Sequence, residues 1–301
     1  MISRFILYHK IIFLKPLSRS LIPTDFSYYR TGSRVFFDYY RKYTNNIVKQ
    51  IGKWYEFFTA FQIFPGLWSV TIEKNDTELT RAELQKSWIS HGIIWWTPMR
   101  RLEQPAGWWR APKWFTQKNI HSSRSAFVSL DQPDYWNKWT APARAHRRKV
   151  LQNIENGTIE IRTDCSLDDF LQKYNDTPVS DRDKRSRIRM TRKLLGSQDS
   201  GYRIYTASVW GRVLAGAIFI DEGVTSEYWV SFYHPDSHPY HLGIALLDRW
   251  MLDSYANWIQ YCDLDHMRDS GQSRSYAGYT QFKSSIADHD VYFHDMWIKI
   301  F

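Results

Sequence analysis

The stretch Tyr276-Ala277-Gly278-Tyr279-Thr280-Gln281-Phe282-Lys283 decides how the rest of this 301-residue chain is read. It follows a polar loop, Asp265 to Ser275, that leaves a strand-like apolar run, Trp258-Ile259-Gln260-Tyr261-Cys262-Asp263-Leu264. It precedes a last strand-like run, Val291 to Phe301. The pattern predicts a strand over 259–264, a short helix near 277–286 carrying one lysine, and a closing strand over 290–301. Lys283 then sits beside a loop leaving the C-terminal end of a strand, where α/β proteins build their sites.

Moving upstream, His241 to Trp258 has Leu242, Ala245, Leu246, Arg249, Trp250 and Leu252 at helical spacing and reads as an amphipathic helix. Before it, Arg203 to Trp210, Val213 to Asp221 and Ser226 to Tyr233 alternate as strands, joined by turns at Gly211-Arg212 and Glu222-Gly223. The order β-β-β-α-β-α-β is that of a mixed α/β fold. Further back lie a strongly basic helix, Arg144 to Asn156, with Gly157 as a left-handed cap, then a strand from Thr158 to Thr163. A short helix opens at Ser166-Leu167-Asp168-Asp169. A second basic helix starts at Asp181-Arg182 and packs five bases into the eight residues from Arg182.

Residues 61–134 read as a divergent first lobe and 135–301 as a second. In the first, Thr80 caps a helix with Glu83 in the reciprocal position. His91 to Thr97 and Ser125 to Leu130 are strands, and the Trp-rich loop Pro105 to Lys118 either lines a groove or staples the surface. Residues 1–60 form a basic, aromatic segment. Within 36–61, apolar residues at three- and four-residue spacing predict a helix.

The net charge of +9 is unevenly spread. Residues 1–60 carry ten Lys/Arg against three Asp/Glu, and residues 221–301 carry five against twelve. A basic body joined to an acidic end points to polyanionic partners: nucleic acid, nucleotide phosphates or an anionic membrane surface. Fifteen Trp, nineteen Tyr and seventeen Phe supply core and groove walls alike. The two cysteines, Cys165 and Cys262, make neither a disulfide framework nor a zinc spacing, and fit a reducing, cytoplasmic location. The run Ile11 to Leu14 is too short to span a bilayer and is expected to pack onto the domain.

With these residues in view, the second lobe resembles the GNAT-like fold of the Fem family, peptidyltransferases that move an amino acid from aminoacyl-tRNA onto the peptide stem of a peptidoglycan precursor. Four places carry the resemblance. They are Arg147-Arg148-Lys149 with Asn156-Gly157-Thr158-Ile159-Glu160-Ile161; Arg182-Asp183 after Thr177; Gly243 with Leu246 and Leu247; and Asp263-Leu264 followed by Gly278-Tyr279-Thr280-Gln281-Phe282-Lys283. The last, an "Asp-hydrophobic … Gly-x-x-x-Phe-Lys" ending, is the most specific. Where the family continues with Phe-Gly, this chain has Ile286-Ala287.

The resemblance implies a GNAT-like acyltransferase fold, either as one lobe or as two tandem lobes with the first divergent. It implies Lys283 and Phe282 as the catalytic pair, with Tyr279 and Asp263 as substrate-binding residues. Arg147, Arg148, Lys149 and Arg182 are the candidates for phosphate recognition, since arginine's planar fork suits phosphate oxygens. The implied partners are aminoacyl-tRNA as donor, with no bound cofactor, and a nucleotide- or lipid-linked precursor as acceptor at or near the membrane surface. Two other readings stand beside it. One is an acetyl-CoA-dependent N-acyltransferase, favoured by Tyr240-His241-Leu242-Gly243-Ile244-Ala245 as a partial Gln/Arg-x-x-Gly-x-Gly/Ala phosphate loop. The other is a non-catalytic module that binds RNA or a membrane surface. His234, His238 and His241 read as a polar loop rather than a metal site.

Overall fold

The structure, a computed structural model, describes residues 12–14, 41–42, 47–50, 57–73, 81–97, 104–111, 124–178, 184–196, 201–267, 277–293 and 297–301. In chain order its strands and helices are β1 (Ile12–Leu14), β2 (Ile47–Gln50), β3 (Phe57–Phe64), β4 (Leu67–Glu73), α1 (Arg81–Gln85), β5 (Gly92–Thr97), β6 (Trp109–Arg110) and β7 (Arg124–Ser129). Then follow α2 (Ala141–Glu155), β8 (Ile159–Arg162), α3 (Leu167–Asp176), α4 (Lys184–Leu195), β9 (Tyr202–Val209), β10 (Arg212–Glu222) and β11 (Thr225–Tyr233). The chain closes with α5 (Leu242–Ala256), β12 (Tyr261–His266), α6 (Ala277–Ser284), β13 (His289–Phe293) and β14 (Trp297–Ile300). Among the described residues, no helix is long and apolar enough to cross a membrane.

The chain divides into two units, and its described strands form two sheets of mixed direction, one of eight strands and one of six. The first unit comprises Met1–Ser125, His266–Ala277 and Asp290–Phe301; the second comprises Ala126–Asp265 and Gly278–His289. The second unit thus starts before the boundary expected at residue 135.

In the first unit the sheet order is β2-β3-β4-β5-β14-β6. β2, β3 and β4 form an antiparallel meander, and β5 then pairs in parallel with β4 after the intervening α1. Of the helix expected over 36–61, residues 41–42 are helical, but Ile47–Gln50 and Phe57–Phe64 are strands, which overturns it there. Their β-branched and aromatic residues suit a pleated surface, and pairing decided against a spacing that equally fits a helix. Phe58, Val70, Ile72, Ile94, Trp96, Trp108 and Trp297 make the core, with Trp96 and Trp108 centroids 4.9 Å apart. Trp108 is therefore a staple, while its neighbour Trp109 is exposed; residues 112–118 of that loop lie outside the described residues. β1 pairs antiparallel with β13, so the apolar run Ile12–Leu14 is a strand.

In the second unit β9, β10 and β11 form an antiparallel meander with β8 paired antiparallel on the far side of β9, α5 crosses over, and β12 returns parallel to β11. This is the predicted order, and it is the same β-β-β-α-β sequence as β2 to β5, a topological repeat that fits tandem GNAT-like lobes. The expected closing strand over 290–301 is instead two strands: β13 pairs with β1, and β14 joins β5 and β6 in the first unit's sheet. α2 ends as predicted, with Gly157 at φ 76° and its N–H bonded to Ile154 O. Two of the core indoles have satisfied N–H groups. Trp250 stacks on Phe219 at 4.2 Å and donates to Ser226 Oγ at 2.7 Å, and Trp229 Nε1 donates to Thr191 Oγ1 at 3.0 Å.

α3 opens on Ser166, whose Oγ accepts from the Asp169 N–H at 3.1 Å. Ser166→Ala is expected to cost about 1 kcal/mol, as loss of a serine cap usually does, read as a lowered midpoint in urea with an unchanged slope.

Candidate functional site

The β11–β12 ladder runs from Thr225↔Tyr261 to Glu227↔Asp263. Beyond it, β11 carries on along β10 to Tyr233 and feeds the loop into α5, while β12 runs to His266. A bulge marks the divergence: Ile218 faces Val230 but the next residue, Phe219, faces Tyr228, so Trp229 is the inserted residue. Parallel strands that part at their C-terminal ends leave a crevice beside the following helix, the usual position of a site in an α/β fold.

α6 seats itself at that end through Phe282. A Cβ built on Gly243, in the first turn of α5, would lie 3.3 Å from Phe282 Cζ and 3.6 Å from Tyr233 Cε1. A side chain at 243 would need the Phe282 ring to give by a few tenths of an ångström, so glycine suits this approach. The next residue, Lys283, is 8% exposed, and its Nζ lies 4.8 Å from the centroid of the Tyr279 ring one turn earlier on α6. Phe282, Lys283 and Tyr279 thus lie together on α6, with Phe282 against Gly243 of α5. The helix itself is held at its end by Ser285, whose carbonyl accepts from the Thr140 N–H at 2.9 Å just before α2.

Asp263 is fully buried at the end of the β11 ladder, and its Oδ1 accepts from the Asp265 N–H at 2.8 Å. Asp265 has φ 69°, so Asp263 holds a tight turn at the mouth of the polar loop.

The basic motif of α2 splits, because consecutive residues on a helix point in different directions. Arg147 turns inward: its Nε donates to Asp248 Oδ1 at 2.6 Å and its guanidinium lies 3.8 Å over the Trp136 ring. The Tyr135 hydroxyl lies 2.9 Å from the same Oδ1 and 2.8 Å from the Asp248 carbonyl. These contacts tie α2 to α5. Arg148 and Lys149 are exposed, and Arg182 lies outside the described residues.

Two of the loop histidines, His234 and His241, face different partners. His234 Nδ1 accepts from the Asp236 N–H at 3.2 Å, and His241 stacks on His146 of α2 at 3.9 Å. Among the described residues, no group of three or more His, Cys, Asp or Glu could hold a metal ion.

Sequence reading missed a hydroxyl cluster beside Phe282. The Tyr228 hydroxyl donates to Ser231 Oγ and lies 3.1 Å from that of Tyr233. Burial, and then the neighbouring Tyr233, push the Tyr228 phenol well above its ordinary pKa, so it stays a neutral hydrogen-bonding group. Residues 228 and 233 fall on opposite faces of a regular strand; the bulge at Trp229 puts them on one face. Two cavities of the second unit, of about 460 and 580 Å³, lie along β8, β9 and α3, share Cys165, and are not lined by the residues named above.

Residues 143–284 match the acetyltransferase (GNAT) domain model. The crystal structure of FemX matches over 89% of this chain and 91% of its own, with a TM-score of 0.65 at 8% identity. A conserved protein of unknown function from Bacteroides thetaiotaomicron matches over 89% and 90%, with a TM-score of 0.56 at 10% identity. The C-terminal domain of a protein named as a lysylphosphatidylglycerol synthetase, from Agrobacterium fabrum, matches over 85% and 84%, with a TM-score of 0.52 at 10% identity. At these identities the likeness is one of fold. No curated protein matches the sequence.

Proposed function

We propose that this chain, an acyltransferase with a GNAT domain over residues 143–284 and the overall fold of FemX, moves an amino acid from aminoacyl-tRNA to an amine of a peptidoglycan-precursor stem peptide. The observation that carries the reading is the seat of Phe282 against Gly243, which sets the Phe-Lys pair at the head of α5. Acyl-CoA enzymes of this fold lay a pyrophosphate there, through a glycine and an Arg or Gln three residues before it. Here Tyr240 holds that earlier place, and an aromatic ring occupies the space beside the glycine. The likeness to a domain named for an aminoacylated lipid also supports an aminoacyl donor.

In this reaction the acceptor amine attacks the ester carbonyl. A C–N bond forms, the bond from the carbonyl carbon to the ribose oxygen breaks, and the proton lost by nitrogen is matched by one gained at the ribose hydroxyl. The ester already carries an activated acyl group, so the protein's work is positioning and charge. Lys283 meets the negative charge on the tetrahedral oxygen and the departing ribose oxygen. Tyr279 holds the ammonium over its ring, and Asp263 fixes the turn opposite. Arg148, Lys149 and Arg182 dock the phosphates of the donor and of a nucleotide- or lipid-linked acceptor, in the cytoplasm or at its membrane face.

The test offers the protein labelled aminoacyl-tRNA and labelled acetyl-CoA in parallel with a precursor mixture. Label arriving from the tRNA ester is the expected result; label arriving only from the CoA ester overturns the reading in favour of the acetyl-CoA-dependent alternative. Binding of the tRNA should also weaken steeply between low and physiological salt as counterions are released.

A further inference from the structure

The β9–β10 hairpin turns on Trp210 and Gly211, both left-handed at φ 48° and 78°. A two-residue turn of this kind favours Asn-Gly, and a bulky L side chain in it is strained. Trp210 is also 76% exposed. Neither the turn nor the core explains an indole here, and residues that break local rules without a folding reason mark functional places.

The surroundings give it one. The Tyr240 ring meets the Trp210 ring edge-on, with centroids 5.7 Å apart. Tyr240 directly precedes His241, which opens α5 and stacks on His146 at 3.9 Å and 12°. Burial, the stacked His146 and the Lys149 charge hold His241 below its ordinary pKa, which favours a neutral, flat imidazole at this position. Arg148 and Lys149 are exposed on α2. Flat faces with a cation at their margin suit an unpaired base and its phosphate. A membrane-docking face needs a broad apolar surface, and beside this turn lies instead the exposed ion pair Arg212–Asp236.

We propose that Trp210 and Tyr240 form a stacking platform for the terminal adenosine of the acyl donor, with Lys149 meeting its phosphate. The inference rests on the reading of the protein as a transferase using a nucleotide-bearing donor. Both candidate donors end in this chemistry: the 3′-terminal adenosine of aminoacyl-tRNA and the phosphoadenosine of coenzyme A.

The experiment measures binding to the full chain of four probes: a short RNA ending in CCA, the same RNA lacking the terminal adenosine, coenzyme A, and 4′-phosphopantetheine. Trp210→Asn suits the turn and should hold or raise the unfolding temperature. It should weaken one adenosine-bearing probe roughly 5- to 100-fold, the range base–aromatic stacking spans, while its adenosine-free counterpart binds unchanged. The probe affected identifies the donor. Trp210→Phe should keep most of the affinity, and Tyr240→Ala, outside the turn, should repeat the selective loss if Trp210→Asn folds poorly. Equal weakening of both members of a pair, no weakening, or failure of the unaltered protein to bind either adenosine probe overturns the platform. So does Trp210-dependent binding to anionic phospholipid vesicles with neither adenosine probe bound. Adenosine-selective binding without transfer from either donor would sink the proposed reaction and leave the platform standing.

Discussion

Lys283→Ala should lower amino-acid transfer roughly a hundred- to a thousandfold, the loss seen when a single group facing a developing oxyanion is removed. The side chain is 8% exposed, held over Tyr279 and next in sequence to the residue packed on Gly243. Its surroundings exclude water, so its charge acts with little screening on the reacting ester. Lys283→Met keeps the aliphatic stem and removes only the charge. Both variants should unfold within a few degrees of the parent while losing kcat rather than the affinity for donor. Should both variants unfold early, or should Lys283→Met transfer at the parental rate, Lys283 is a structural residue and the acyl-transfer site lies elsewhere.

Arg147→Ala is expected to destabilise the second unit by about 3–5 kcal/mol, because Asp248 is left as a buried charge without its cation. The two side chains are 15% and 10% exposed, and their 2.6 Å contact joins α2 to α5. The stack on Trp136 is lost as well, so packing and charge fail together. Arg147→Met combined with Asp248→Leu should recover most of that stability, since an apolar pair of similar size often replaces a buried ion pair at little cost. Tyr135 keeps the Asp248 carbonyl as its partner in that background. The double variant also separates clamp from ligand: unchanged affinity for tRNA marks Arg147 as a positioning residue, whereas a stable protein with lost affinity returns it to phosphate recognition.

The parts of the fold visible in the sequence are those where one physical signal acts alone. The β9 to β11 meander shows because alternation and tight turns coincide, and α5 because its apolar residues recur at helical spacing. Phe282 and Lys283 stood out through a motif, and the contact with Gly243 gives that motif a geometric reason. Reading failed where two periods compete. The aromatics between Phe36 and Phe61 fit a helix by spacing, yet Ile47–Gln50 and Phe57–Phe64 are strands because their pairing with each other, the pairing of β3 with β4 and the burial of Phe58 outweigh spacing. The Tyr228–Tyr233 pair was invisible because a bulge, which no period-two pattern announces, places both on one face. Arg147, Arg148 and Lys149 looked alike as a charge run, and only the position of Asp248 on α5 separates the inward residue from the outward two.

The placement of β14 between β5 and β6 bears on how the protein comes off the ribosome. The first unit's sheet has a vacant position until residues 297–300 are made, and those follow the whole of the second unit in the chain. During translation the early half must wait with two unpaired strand borders, a state open to wrong partners. Deleting residues 297–300 would therefore damage the half of the molecule that is synthesised first.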